Sequence, residues 1–235
     1  MVQNSAAKPR ANKRPHNPAR RRGRPRAFEP EVALTQAMDL FWKEGFAATS
    51  LDELSAATGL NRPSLYGAFG DKRALYLQAY RRYREHVRES FAPLFAEPAP
   101  LRDKLRRILL AALDLYLSGR EGPRGCFTVL TASSDATADP EVRGMVCDAL
   151  ETSDRAFERL FASAREKGEL PVEADPRRLA RMGTATVHTL SIRARAGVAR
   201  SEIEPIVEDA ISTICGPAPR RKRARDATEK RGAAE

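Results

Sequence analysis

Two polar side chains at the start of a short predicted helix have the chemistry needed to read DNA bases. Arg62 and Ser64 follow a turn at Gly59-Leu60 and fall in the first turn of a helix predicted over about 62–69. An arginine guanidinium binds guanine O6 and N7 through two hydrogen bonds, and a serine hydroxyl donates or accepts at a base or a phosphate. The N-terminal residues of a recognition helix are the ones that enter the major groove. The pair therefore predicts base recognition, although an unrelated helical hairpin with a surface arginine would show the same helix lengths.

A second polar stripe lies on a later predicted helix that is otherwise mostly apolar. Thr184, His188 and Ser191 occupy positions i, i+4 and i+7 of that helix. Small-molecule sites place a few polar groups on apolar walls to orient the ligand, and a histidine titrates near neutral pH. The stripe therefore predicts a site for a small effector, although a subunit interface or a solvated helix face would have the same pattern.

The remaining reactive side chains lack the spacing that catalysis or metal binding requires. Cys126, His188 and Asp135 would have to converge from three separate segments to form a nucleophilic site, and no local signature supports this. The sequence has no glycine-rich phosphate loop, no dinucleotide fingerprint and no cluster of carboxylates. Its three cysteines and three histidines show no metal-ligand spacing. We therefore expect no enzyme, no metal ion and no cofactor.

Positive charge is concentrated at the two ends of the 235-residue sequence. Residues 1–26 contain nine lysines or arginines and no acid, and residues 216–235 contain seven bases and three acids. Of the formal net charge of +10, these ends hold +9 and +4, which leaves −3 for residues 27–215. Basic segments on a mildly acidic body favour a polyanionic partner, with nucleic acid ahead of a membrane surface, although they could also serve solubility alone. Neither end has apolar periodicity, so both are expected to be disordered in isolation.

No segment predicts secretion or membrane insertion. The longest apolar run, from Ile108 to Leu117, has ten residues and contains Asp114, whereas a membrane span needs roughly 20. The basic N-terminus is not followed by the apolar core of a signal peptide. Widely spaced cysteines in odd number favour buried thiols in a reducing compartment. We expect no membrane partner and a cytoplasmic location.

Between the two basic ends, the apolar residues follow a helical periodicity almost throughout. No stretch alternates with period two for long enough to form a strand. The pattern predicts an all-α chain of about nine helices. A helix-turn-helix motif at about 50–69 turns at Gly59, and a fourth helix from about Lys72 to Ala92-Pro93 connects it to the rest of the chain. The predicted divisions are a basic arm at 1–26, a DNA-binding domain at 27–80, a helical effector and dimerisation domain at 81–215, and a basic tail at 216–235.

The sequence closely resembles the TetR family of bacterial transcriptional regulators over about residues 27–80. The segment GFAATSLDELSAATGLNRPSLYGAFGDKRALYLQAY contains the matching motifs. These are an aromatic after the glycine that ends the first helix, Thr-Ser-Leu, an Ala-x-x-Gly turn, Ser-Leu-Tyr and Phe in the third helix, then Asp-Lys and Leu75. The preceding GRPR is a common prelude in the family, and the later GCF and DPEVR segments resemble members of its AcrR-like branch.

The resemblance implies DNA contacts at Arg24, Arg26, Ser50, Arg62, Pro63, Ser64, Tyr66, Gly67 and Lys72. In the family, positions matching Ser50, Tyr66 and Lys72 contact phosphate, and the others in the third helix face the bases. Gly67 and Ala68 are smaller than the residues often found there, so base reading would rest more on Arg62. The basic arm is longer than in a minimal family member and would add phosphate or minor-groove contacts.

The same resemblance implies a C-terminal domain that forms a homodimer and holds a small effector. Independently of it, the last predicted helix has a strong apolar stripe with little sequence left to cover it. The stripe consists of Ile203, Ile206, Val207, Ala210, Ile211 and Ile214. Two helices from each subunit would bury such a stripe in a symmetric four-helix interface, and the alternative is packing within one chain.

These observations predict a homodimeric, ligand-responsive DNA-binding transcriptional regulator. It would be a repressor that an unknown small-molecule effector releases from a palindromic operator in double-stranded DNA. One alternative is an architectural or nucleoid-associated DNA-binding protein of the same fold without an effector. Another is a scaffold that acts through protein partners, in which Arg62 and Lys72 would be dispensable.

Overall fold

The computed structural model describes residues 29–119 and 122–217, and these ranges fold into nine α-helices without a strand. The helices are α1 (Pro30–Glu44), α2 (Leu51–Thr58), α3 (Arg62–Phe69), α4 (Lys72–Ala96), α5 (Leu101–Leu117), α6 (Phe127–Ser134), α7 (Pro140–Glu166), α8 (Pro176–Arg195) and α9 (Arg200–Cys215). The predicted all-α class is therefore confirmed. No helix in the described ranges is long and apolar enough to cross a membrane. The arm at 1–26 with Arg24 and Arg26, and the tail from residue 218 onward, lie outside the described residues.

The first three helices and the start of α4 pack around a small apolar core. Phe41 and Trp42 of α1, Leu54 of α2, and Leu65 and Phe69 of α3 are all buried there. Gly59 adopts the left-handed conformation at the end of α2, with φ of 66°, and this turns the chain from α2 into α3. The predicted bounds of the helix-turn-helix agree with this arrangement.

The fourth helix extends further than the sequence indicates. α4 continues through Pro93 and ends at Ala96. A proline removes one backbone donor, but its fixed φ is helical, so the helix continues where packing compensates. Phe91, Leu94 and Phe95 supply that packing because they contact the apolar core on both sides of the proline.

Helices α5 to α9 form a second body in which α8 is central. α8 packs against α5, α7 and α9. A side-chain carbon built at Gly183 of α8 would lie 3.0 Å from the ring of Phe157, so glycine permits the close approach of α7 and α8.

The apolar stripe of α9 is used inside the chain. Ile203, Val207 and Ile211 are fully buried and Ile214 nearly so, because α9 packs against α5 and α8. The prediction that these four residues form the dimer interface is therefore wrong. Sequence periodicity identifies an apolar face but not which neighbour covers it. Ile206 and Ala210 remain partly exposed and stay candidates for a subunit contact.

Several polar contacts join the two bodies. The Trp42 indole N–H donates to the carbonyl of Gly125 at 3.0 Å. The guanidinium of Arg195, at the end of α8, donates to the carbonyls of Lys43 and Arg124 at 2.9 Å each. Arg73 in the first turn of α4 pairs with Asp139, the N-cap of α7, at 2.6 Å. The orientation of the helix-turn-helix is therefore coupled to the second body at two places, the end of α1 and the first turn of α4.

Candidate functional site

The N-terminus of α2 is held by a reciprocal cap. The backbone N–H of Glu53 donates to Ser50 Oγ at 3.1 Å, and the backbone N–H of Ser50 donates to Glu53 Oε2 at 2.7 Å. These hydrogen bonds hold the pKa of the Glu53 carboxyl below its usual value. Ser50 is exposed, so the start of α2 presents a helix N-terminus to solvent. Such an end is suited to a phosphate because its dipole and free N–H groups favour an anion.

The third helix begins at Arg62 because Asn61 caps it. The Asn61 side-chain oxygen accepts from the backbone N–H of Ser64 at 2.9 Å, and Pro63 occupies the first turn without loss of a helical hydrogen bond. This places Arg62 and Ser64 at the free end of α3, as the sequence predicts.

One face of α3 is open along its whole length. Arg62, Pro63, Tyr66 and Gly67 are exposed, and Tyr66 has 46% of its surface accessible. A side-chain carbon at Gly67 would meet no heavy atom within 4 Å. The opposite face holds the buried Leu65, so the helix presents a clear outer surface with Arg62 exposed at its N-terminal end.

Arg62 is paired in the free protein. Its Nε and Nη2 donate to the same oxygen of Asp52 at 3.1 and 2.7 Å. Both side chains are more than half exposed, so water screens this pair and its contribution to stability is small. The contact orders the guanidinium across the α2–α3 turn. Sequence reasoning did not single out Asp52 and missed this pairing.

Lys72 opens α4 beside the helix-turn-helix. Its ammonium nitrogen lies 4.4 Å from the centroid of the Phe46 ring, a cation–π contact. Phe46 in turn lies 5.0 Å from Tyr76, centroid to centroid. Lys72 is half-buried, so the position of its ammonium depends on the packing beneath it.

A large cavity of about 970 Å³ lies between α4 and the second body. Its wall is formed by residues of α4, α5 and α7, with smaller contributions from α8 and the start of α6. Aromatic and aliphatic side chains such as Phe91, Phe157 and Ile108 make up the apolar part. The volume is at the upper end of the range typical of ligand sites, roughly 300–1,000 Å³.

The predicted effector stripe is only partly at this cavity. His188 lines it, and burial lowers the pKa of its imidazole, an effect that the Asp154 carboxylate opposes. Ser191 is buried elsewhere, where its hydroxyl accepts the backbone N–H of Cys126 at 2.7 Å. Thr184 is buried beside Ser153, 3.5 Å between hydroxyl oxygens, and does not line the cavity. The expectation of an effector contact is therefore corrected for Thr184 and Ser191 and stays a prediction for His188.

Sequence reasoning also missed a buried lysine in the cavity wall. Lys104 of α5 has only 9% of its surface exposed and its ammonium donates to the carbonyl of Phe95 at 3.3 Å. A signal was present, since Lys104 lies three residues after Leu101 and four before Ile108, on the apolar face of its helix.

Comparison with known proteins gives matches over most of the chain. A family model described as bacterial regulatory proteins, tetR family, matches residues 33–79, and one described as tetracyclin repressor-like, C-terminal domain, matches residues 97–208. The HTH-type transcriptional repressor ComR of Escherichia coli (strain K12) is 28% identical over 194 residues, which is 82% of this chain and 90% of ComR. The HTH-type transcriptional repressor BdcR of the same strain is 35% identical over 121 residues, 52% of this chain and 59% of BdcR.

Solved structures show the same likeness. A cysteine mutant of the TetR family transcriptional regulator CifR, complexed with 26bp double-strand operator DNA, is 32% identical with a TM-score of 0.73. The match covers 82% of this chain and 100% of CifR. AibR, in complex with isovaleryl coenzyme A and operator DNA, is 18% identical with a TM-score of 0.61 and shares the fold.

Proposed function

The chain belongs to the TetR family of bacterial regulatory proteins, whose members are DNA-binding transcriptional regulators and not enzymes, and from this premise we propose that it is a homodimeric repressor of a palindromic operator. A small effector in the cavity between α4 and the second body would release it from DNA. We also propose a cytoplasmic location, since the operator lies there.

The open face of α3 is the observation on which the proposal mainly rests. Arg62 stands at the end of α3 that would enter the major groove, and the exposed Tyr66 and Gly67 continue the same face. The α2 N-terminus at Ser50 and the ammonium of Lys72 flank this helix as phosphate contacts. Each subunit of a dimer would read one half-site, and the half-sites would be separated by about one DNA turn, roughly 34–36 Å, or a multiple of it.

The outer face of α8 supports a homodimer. Met182 and Ile192 are large apolar residues with 40% and 57% of their surface exposed, and Ala185 is exposed between them on the same face. Ile206 and Ala210 of α9 are the partly exposed residues of the adjacent helix. We propose that these faces of α8 and α9 pair with those of a second copy in an isologous four-helix interface.

A series of packed rings supports effector-dependent release. Tyr83 lines the cavity and lies 5.5 Å from Phe127, which lies 5.8 Å from Tyr76. Tyr76 contacts Phe46, and Lys72 lies over the Phe46 ring. Since close-packed side chains transmit displacement, a ligand that moves the cavity wall would move the phosphate-binding end of α4. A coupling of about 1–3 kcal/mol between the two sites would suffice for regulation.

Footprinting on the DNA that flanks the gene tests the proposal. The full chain should protect one palindrome, Arg62→Ala should lose that protection, and Arg107→Ala, an exposed cation of α5 paired with Glu97, should keep it. Diffuse coverage of all DNA would instead support an architectural protein, and no protection anywhere would reject DNA binding. In a transcription assay on the protected promoter, fewer transcripts support a repressor and more transcripts overturn it.

A further inference from the structure

The cavity has a strongly unequal distribution of charge. Its described lining includes six cationic residues, Arg81, Arg84, Arg88, Lys104, Arg159 and Lys167. Among the same lining residues the single acid is Glu85, and it is paired with Arg88. A concave site lined by one sign of charge with apolar walls concentrates ligands of the opposite sign.

Lys104 differs from the other cations because it is buried. An ammonium group has three donors, and the structure gives this one a single hydrogen bond, to the carbonyl of Phe95. Within the described ranges no carboxylate lies at ion-pair distance from it. Burial of a charge without a counter-charge is costly, so a lysine at this position calls for an anion to neutralise it.

The other polar groups of the wall do not supply that anion. Burial raises the pKa of the Tyr83 and Tyr116 phenols well above its ordinary value, so both stay neutral donors. Burial also lowers the pKa of His188, which favours its neutral form. The Asp154 carboxylate opposes this lowering of the His188 pKa, but Asp154 is not part of the cavity wall. Among the cations of the described wall, Lys104 is therefore the one that is buried and lacks a carboxylate partner.

The apolar part of the wall indicates what the anion must be attached to. Phe91, Phe95, Phe157 and Leu160 line the same cavity, and Phe95 packs edge-on against Phe157 at 5.3 Å. A bare inorganic anion would leave this surface uncovered, whereas an aliphatic chain or ring would bury it.

We propose that the effector of this protein is an amphipathic carboxylate whose anionic group pairs with Lys104 and whose apolar part fills the space between α4, α5 and α7. The proposal rests on the effector site of the proposed function and specifies its ligand class. Neutral and cationic molecules of the same shape bind more weakly because they leave Lys104 without a counter-ion.

Competition binding to the full chain without DNA tests this. The neutral fluorophore N-phenyl-1-naphthylamine reports occupancy of the apolar cavity, and decanoate, decan-1-ol and decyltrimethylammonium compete with it. Decanoate should compete about tenfold more strongly than either of the others, as one charge-assisted hydrogen bond predicts.

Lys104→Met keeps the length of the stem and removes the charge. It should bind the fluorophore as the wild type does, and should lose the preference for decanoate. Arg107→Met, a cation on the same helix outside the cavity wall, is the control and should keep that preference. Lys104→Arg retains the charge and should keep part of the preference for decanoate. It provides a second variant if the Lys104→Met protein is unstable.

Three results would overturn the inference. The first is equal competition by all three amphiphiles, and the second is failure of both the fluorophore and decanoate to bind. The third is an undiminished preference for decanoate in Lys104→Met. The competition assay contains no DNA, so its outcome does not depend on operator binding. Loss of operator binding would reject the proposed function and leave the ligand class standing. Loss of the decanoate preference would reject the ligand class and leave operator binding standing.

Discussion

Arg62 and Asp52 face each other across the turn of the helix-turn-helix, and Nε and Nη2 of Arg62 donate to a single carboxylate oxygen, at 3.1 and 2.7 Å. The second oxygen of Asp52 is not used by Arg62. Guanine offers two acceptors, O6 and N7, that match the guanidinium fork better than one oxygen does. The pair orients Arg62 in the free protein, and we predict that it is exchanged for a base when DNA binds.

Arg62→Ala should cost about 1–3 kcal/mol per half-site on the operator and relax the preference at one position, a guanine. Non-specific binding should weaken much less, because Lys72 and the α2 N-terminus still meet phosphate. Arg62→Lys should recover affinity but not full discrimination, since an ammonium lacks the planar fork. Paired titrations on operator and scrambled DNA at one salt concentration measure this. Equal losses on both DNAs would make Arg62 a phosphate contact.

Asp52→Asn should strengthen DNA binding. The substitution removes a carboxylate that competes for Arg62 and repels nearby phosphate, so we expect tighter binding to operator and scrambled DNA alike. Thermal stability should change by less than about 1 kcal/mol, because the pair is exposed. Glu53→Gln, in the same helix turn but bound to Ser50, is the comparison that separates general charge removal from release of Arg62. Weaker binding in Asp52→Asn would show that the pair positions Arg62 for the base.

Met182→Glu combined with Ile192→Glu should convert the protein to a monomer. Two like charges from each subunit would meet in the proposed interface, while both side chains stay exposed in the single chain, so helix content should be preserved. Sedimentation velocity gives the mass. Val172→Glu is the matched control, because this valine is 80% exposed and lies outside α8. A double variant that remains dimeric would move the interface elsewhere.

The ion pair between Arg73 and Asp139 should make stability pH-dependent. Hydrogen bonding from Arg73 lowers the pKa of Asp139 to about 2. The folded state therefore holds this carboxyl ionised above its unfolded pKa of about 3.9, and the stabilisation is lost as the pH falls toward 2. Asp139→Asn, which can still cap α7, should flatten the decline in unfolding free energy between about pH 5 and 2. An unchanged pH profile in this variant would assign the decline to other carboxylates.

Gly125→Ala should weaken the contact between the two bodies. Gly125 has φ of +66°, and an added side-chain carbon would lie 2.9 Å from the carbonyl oxygen of Ser191. We expect a loss of about 1–3 kcal/mol in unfolding free energy, from backbone strain and overpacking together. Gly144→Ala is the control, since this glycine lies inside α7 with open space around it, and should stabilise by about 0.5–1 kcal/mol. Chemical denaturation measures both.

The local signals in the sequence predicted the helix-turn-helix well. Ser50, Gly59 and Pro63 specify the start of α2, its end and the start of α3 through short-range hydrogen bonds and backbone preferences. These depend on neighbours within a few residues, so the sequence contains the information. The DNA-contact roles of Ser50, Arg62, Tyr66 and Lys72 stay predictions.

The parts that failed depend on which surfaces meet. The α9 stripe and the Thr184–Ser191 stripe were both recognised as faces, but a face can be covered by its own chain or by another. Ile203 is covered by its own chain, and Ser191 caps a backbone N–H of the Cys126 segment. Only the packing of α5, α8 and α9 decides between these outcomes, and periodicity along one helix contains no information about it.

Arg195 has a geometric consequence for operator choice. Its guanidinium also donates to the carbonyl of Trp42 at 3.4 Å, so the last turn of α8 is bound to the end of α1. The outer face of α8 stays exposed and could contact a second copy. In a dimer paired along α8, the crossing angle between the two α8 helices would set the distance between the two helix-turn-helix motifs. Substitutions on the outer face of α8 would then change the tolerated spacing of half-sites without altering a residue of α3. Substitutions in α3 would change the bases that are recognised at a constant spacing. In such a dimer, the spacing of the half-sites and their base sequence would be specified on separate helices.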